Sequence, residues 1–146
     1  MEPFNIALGE YGTKEIAGIL HSAEVLKYSK DIGLKWVKDD ETAWCAIFVN
    51  WCLWKSKRPN TGSALARSFL TYGNKTNVPQ IGEIVVLWRI AKDSQYGHVG
   101  FFVKKDKQYV WILGGNQNNE VNISKFPIGQ VLEYRTLVQA KYARSI

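Results

Sequence analysis

The spacing of apolar residues changes once along the chain, from a helical repeat before Pro79 to alternation after it. Phe4, Ala7, Leu8 and Tyr11 recur at three- and four-residue intervals and stop at Gly12, which predicts an N-terminal helix. Val25, Leu26, Ile32 and Leu34 predict a second short helix closed by Gly33. From Thr42 to about Lys57 nearly every position is apolar. A helix without a polar face must be buried, so this stretch is expected to be the central helix. Thr42, or the acidic group Asp39-Asp40-Glu41 before it, suits the N-terminal end, where side-chain acceptors and negative charge are favoured. Pro59-Asn60-Thr61-Gly62 reads as a turn, and Ser63 as the cap of another short helix ending near Gly73. Beyond Pro79, strands are expected at 83–88, 98–104, 108–113, 120–123 and 131–137, with Asp106-Lys107 as a hairpin turn. Helices followed by a run of strands predict an α+β fold with an antiparallel sheet. With no repeat or linker, one domain over residues 1–146 is expected.

Composition and charge narrow this only a little. A hydrophobic fraction of 46% and six tryptophans fit a packed globule rather than a disordered chain. Nineteen Lys and Arg against 13 Asp and Glu give a formal charge of +6, which favours polyanions such as nucleic acids, anionic membranes or wall polymers. Yet the basic residues are scattered, among them Lys27, Lys35, Lys55, Arg58 and Lys104, so no nucleic-acid arm is expected. Met1–Asn5 has no basic region leading into an apolar one, and no run of about 20 apolar residues exists. The expectation is a monomer made in the cytoplasm without a signal peptide or membrane span, reaching any outside substrate by release or delivery. Cys45 and Cys52 stand seven residues apart, roughly 10 Å along one helix. A disulfide needs Cα atoms within about 7 Å, so free thiols are expected.

Cys45 falls about one turn inside the expected start of the central helix, where free N–H groups and the helix dipole stabilise a thiolate. A thiolate there can attack an acyl carbon, and the Cys45 N–H can support the resulting oxyanion. A cysteine on an apolar helix is more often a small buried hydrophobe, and Cys52, deeper among Phe48 and Val49, fits that description. A nucleophile needs a base. His21 reads as a surface residue, whereas His98 opens a strong strand between Gly97 and Gly100, which leave room for a close approach. Asn116, in Leu113-Gly-Gly-Asn-Gln-Asn-Asn119, can accept from the far imidazole nitrogen and fix the ring. Gln117 is a second candidate for that role or for the oxyanion, and a plain Gly/Asn turn is the bland alternative. Trp44, Trp88, Trp36 and Glu41 are candidates for a substrate groove. No His-Glu-x-x-His occurs, Asp39-Asp40-Glu41 lacks the alternation of a calcium loop, and Gly114-Gly115 matches no phosphate loop. No metal and no cofactor are expected.

Five blocks carry a resemblance: Glu41-Thr-Ala-Trp-Cys-Ala-Ile-Phe-Val-Asn-Trp-Cys-Leu53, Thr61-Gly-Ser-Ala-Leu-Ala-Arg-Ser-Phe69, Gly82-Glu-Ile-Val-Val-Leu-Trp-Arg89, Gly97-His-Val-Gly-Phe-Phe102 and Leu113-Gly-Gly-Asn-Gln117. Together they resemble the papain-like cell-wall hydrolases, the CHAP and NlpC-type domains often found as phage endolysins, over about Ala7 to Tyr134. The resemblance implies a papain-like fold with the cysteine on a buried helix. It also implies cleavage of a peptidoglycan amide through Cys45 as nucleophile, His98 as base and Asn116 as orienting residue. Two other classes remain: a glycoside hydrolase, for which Glu10 and Glu15 are the available carboxylates, and a basic wall- or nucleic-acid-binding module in which Cys45 and His98 are structural.

Overall fold

Trp44 to Leu53 bury every side chain, which only a helix enclosed by other elements allows. The computed structural model describes residues 1–14, 23–34 and 44–140. Among the described residues, three helices open the fold: α1 (Pro3–Gly9), α2 (Ala23–Asp31) and α3 (Cys45–Lys55). Strands β1 (Lys75–Thr76), β2 (Ile84–Trp88), β3 (Gly97–Lys105), β4 (Tyr109–Gln117), β5 (Glu120–Pro127) and β6 (Val131–Arg135) follow. They form one antiparallel sheet in the order β1-β6-β2-β3-β4-β5. The α+β architecture expected from the change of period is the one observed.

Alternation along the strands divides the apolar residues into two sets. Ile84, Val86, Val99, Phe101 and Leu113 pack under α3, while Val85, Leu87, Phe102, Val110 and Ile112 form a second cluster on the other face. Tyr28 of α2 meets Trp44, Phe48 and Trp51 at ring-centroid distances of 6.1, 5.0 and 4.8 Å, which fixes the helices to one another. Glu10, just past α1, ties that helix to α2, accepting from the Tyr28 hydroxyl at 2.8 Å and pairing with Lys27 at 2.7 Å.

Several boundaries differ from expectation. α3 begins at Cys45, with Trp44 as its flanking residue, so the thiol sits on the first helical residue rather than one turn inside. Thr42 and Asp39-Asp40-Glu41 lie outside the described residues. Ser63 makes a local turn, its hydroxyl accepting from the Leu65 N–H at 3.0 Å, and only a short 3-10 segment follows at Ala66–Thr71. β4 and β5 run well past their expected ends because Gly114 keeps the ladder, and the hairpin closes at Asn118-Asn119 instead. Both residues have positive φ, 56° and 63°, as a type I′ turn requires.

Asn50 is the one polar side chain in the buried stretch of α3, and it is fully enclosed. Its amide donates to Thr61 Oγ1 and the Ser63 carbonyl at 3.0 and 2.8 Å, and its Oδ1 accepts from the Thr61 N–H at 3.0 Å. These bonds hold the 61–65 segment against the helix. Asn50→Ala leaves those backbone groups unpaired and is expected to cost about 2 kcal/mol, read by chemical denaturation.

Candidate active site

The paired register of β3 and β4 ends at Phe101 and Leu113. The first residue of α3, Cys45, lies against β3 just past this point, at His98 and Val99. The Cys45 sulfur there takes hydrogen bonds from the backbone amides of Val99 and Ala46 and bonds to the imidazole of His98. Ala46 N–H belongs to the first helical turn, where donors have no partner within the helix. His98 and Cys45, 53 residues apart in sequence, thus meet at the junction of helix and sheet.

The other imidazole nitrogen, Nε2, lies 2.9 Å from Gln117 Oε1. The amide orientation of Gln117 is fixed by what surrounds it. Its Nε2 donates to the Ile112 carbonyl at 3.1 Å and to the Asn122 carbonyl and Oδ1 at 2.8 and 2.9 Å. With the amide nitrogen spent on oxygens, Oε1 faces the ring and accepts from His98 Nε2–H. That tautomer leaves Nδ1 to face the thiol. Asn122 is held in turn, its Nδ2 donating to the Gln117 carbonyl and to Glu120 Oε1, each at 2.9 Å, while Ser124 Oγ donates to Asn122 Oδ1 at 2.6 Å.

Charge follows this geometry. Burial pushes the Cys45 thiol up, but the positive imidazole beside it, its hydrogen bond and the two backbone amides outweigh that and carry it below the ordinary thiol value. For His98, burial pulls the imidazolium down. Cys45, through charge and hydrogen bond, and Gln117 reverse this and raise it above the ordinary value, with Arg89 opposing. Both shifts run toward the thiolate and imidazolium form of the pair. Cys52 is the contrast: burial pushes it far up, and it stays a protonated hydrophobe. Both cysteines are free thiols.

His98 opens onto a cleft of about 800 Å³, with Cys45, 1% exposed, lying behind it. Gly97, Trp88 and Phe126 line the cleft beside the imidazole, and Phe126 lies 5.1 Å from that ring. Asn116 and Gln117 both reach the cleft wall, but only Gln117 bonds the imidazole; among the described residues Asn116 makes no side-chain hydrogen bond. The cause is a bulge. Strict alternation from Ile112 and Gly114 would put Asn116 on the face of His98, but the register shifts between Gly114 and Gln117, with Asn116 at φ 57°, and Gln117 takes that face.

Of the groove candidates, Trp88 lines the cleft. Trp44 does not: it is fully buried, stacked on Tyr28 and lying over Gly115, where a Cβ would come within 2.6 Å of its ring. An apolar indole next to the helix start gains more from that enclosure than from the cleft. Glu41, Trp36 and His21 lie outside the described residues. No carboxylate lines the cleft among the described residues, and Glu10 is engaged with Lys27 and Tyr28. Nor does any described group of His, Cys, Asp and Glu form a metal-binding cluster. Asn122 and Arg67, whose side chains hold Gln117 and the loop after β2, escaped the sequence expectations. For Asn122 the signal was present: Asn122 and Ser124, two apart on a strand, share a polar patch on the face of Gly114 and Ile112.

Gly114 explains how the amide reaches the ring. A Cβ on it would stand 2.6 Å from Gln117 Oε1. Gly114→Ala is therefore expected to displace a flexible side-chain tip, lowering the unfolding temperature by only a few degrees while reducing turnover by about tenfold or more. Thermal melts beside initial rates separate the two effects.

Comparison with known families decides what this arrangement belongs to. The CHAP domain model matches residues 37–116, more than half of the chain. The chain belongs to the CHAP domain family. CHAP domains are papain-like cysteine peptidase or amidase domains of peptidoglycan hydrolases, and the match supports hydrolase activity on peptidoglycan for this chain. The matched span contains Cys45, His98 and Asn116 and stops one residue short of Gln117. No curated protein matches the chain. Among the described residues, no helix is long and apolar enough to cross a membrane.

Proposed function

We propose that this CHAP domain, a single catalytic unit over residues 1–146, hydrolyses an amide bond of peptidoglycan in the stem peptide or at its link to the sugar. Cys45 is the nucleophile, His98 the general base and acid, and Gln117 the residue that orients the ring. The observation that carries the reading is the contact of the Cys45 thiol with His98, backed by the Gln117 bond on the far nitrogen.

His98 Nδ1 takes the proton of the thiol, and the thiolate adds to the amide carbonyl. First-turn N–H groups of α3, the Cys45 N–H among them, receive the oxyanion. As the C–N bond breaks, the imidazolium delivers its proton to the leaving amine, and a thioester remains on Cys45. His98 then deprotonates a water that attacks the thioester, releasing the carboxylic acid and restoring the thiol. Gln117 Oε1 holds the Nε2–H tautomer and stabilises the imidazolium throughout.

Action on the wall outside the cell that makes the protein, as in lysis, follows from this substrate, and the formal charge of +6 favours residence on an anionic wall. Digestion of purified peptidoglycan followed by mass analysis tests the reading. The expected products carry new amino and carboxyl termini and no new reducing sugars. Products with new reducing ends, or none at all, contradict it.

A further inference from the structure

Ile90 has φ 68°, a value that β-branched residues almost never adopt, and the Ala91 N–H bonds the Arg89 carbonyl at 2.7 Å across it. This is the rare, strained form of γ-turn. Ile90 is nonetheless 77% exposed, so no core packing accounts for the strain. Other bonds hold it. Arg67 donates to three carbonyls of the same loop: Tyr96 at 2.9 Å, Lys92 at 3.0 Å and Ala91 at 3.2 Å. Ser94 Oγ adds a bond to the Arg89 carbonyl at 2.7 Å. A half-buried guanidinium spent entirely on one loop fixes that loop's shape at some cost in strain, a device that collects at functional sites.

The loop fixed in this way forms one wall of the cleft onto which His98 opens. Ile90 and Tyr96, 77% and 50% exposed, give it an apolar rim, with Leu65 of the neighbouring segment beside them. Apart from His98, Arg89 is the only charged residue lining the cleft among the described residues, and its side chain has no acidic partner among them. It is close enough for its charge to be felt at His98. The opposite wall is neutral and polar, with Asn116, Asn118, Asn119 and Ser124. A permanently charged guanidinium in a cleft lined by no described carboxylate is complementary to an anionic group on the occupant.

We propose that the β2–β3 loop, residues Arg89 to Tyr96, is the substrate-recognition element of the cleft, and that it takes a peptide bearing a free carboxylate next to an aliphatic side chain. Arg89 binds the carboxylate, Ile90 contacts the aliphatic group, and Arg67 is the positioning residue that holds both. The assignment rests on the hydrolase reading for its substrate class, but its test does not need turnover.

In the Cys45→Ala background, binding of a soluble peptidoglycan stem tetrapeptide is measured by calorimetry, as the free acid and with its carboxylates amidated. The free acid is expected to bind about tenfold more tightly, and adding Arg89→Gln removes that preference. Adding Ile90→Asn weakens both forms by about fivefold while the unfolding temperature stays within a few degrees, because asparagine tolerates positive φ. Equal binding of acid and amide, absence of binding by either, or Arg89→Gln and Ile90→Asn variants that bind like their parent would overturn the proposal. A wild-type protein that binds with the acid preference yet releases no amine would sink the hydrolase reading and leave the loop assignment standing.

Discussion

Cys45→Ala is expected to reduce amide hydrolysis by at least about 10⁴-fold while the protein still folds. Alanine at the first residue of α3 is compatible with the helix and removes only the sulfur, so far-ultraviolet circular dichroism and the unfolding temperature should change little. Without the thiol no thioester forms, and His98 has no proton to take. Cys52→Ala provides the control: that thiol is buried and protonated, so its loss should affect stability by the cavity it leaves and turnover hardly at all. The same pair predicts the form of the pH profile. With thiolate and imidazolium as the proposed active form, the rate is expected to rise as Cys45 loses its proton, below the ordinary thiol value, and to fall as His98 loses its own, above the ordinary imidazole value. The two limbs belong to the coupled pair and should both shift when Gln117 is changed.

The second large effect separates neighbours on one strand. Gln117→Ala is expected to lower kcat/KM by about 10²- to 10³-fold, because the imidazole loses the acceptor that fixes its tautomer and supports its charge. Asn116→Ala, which removes no bond to the ring, should cost less than about fivefold. Initial rates on a soluble wall peptide for both variants decide the third position directly. The reverse order would restore Asn116 to the role that the papain-type resemblance implied.

That ambiguity shows where sequence stops being legible. The change from helical to alternating spacing near Pro79 marks the α+β plan, and the uninterrupted apolar run marks α3, because burial on all sides leaves a strong trace in composition. Cys45 and His98 stand out for a related reason, each being a reactive residue at the end of a strongly patterned element. The third position depends on a bulge of one residue. Gly114-Gly115-Asn116 reads as a turn from composition, whereas the chain uses its glycines for close approach, one to Gln117 and one to Trp44, and keeps pairing to Glu120. A register shift reverses which side chain faces the site without altering the pattern by which strands are recognised. Trp44 was ambiguous in another sense, since aromatic residues serve cleft and core alike and only packing against Tyr28 distinguishes them. The strained turn at Ile90 has no sequence sign at all: it is imposed from a distance by Arg67.

Ultraviolet titration of the thiolate near 240 nm tests the ion pair most directly, with wild type, Cys45→Ala, Cys52→Ala and His98→Ala compared under the same salt. The expected thiolate signal persists below the ordinary thiol value, disappears in Cys45→Ala, survives Cys52→Ala and moves to higher pH in His98→Ala. A wild-type signal that develops only at or above the ordinary thiol value, or one that His98→Ala leaves in place, would contradict it.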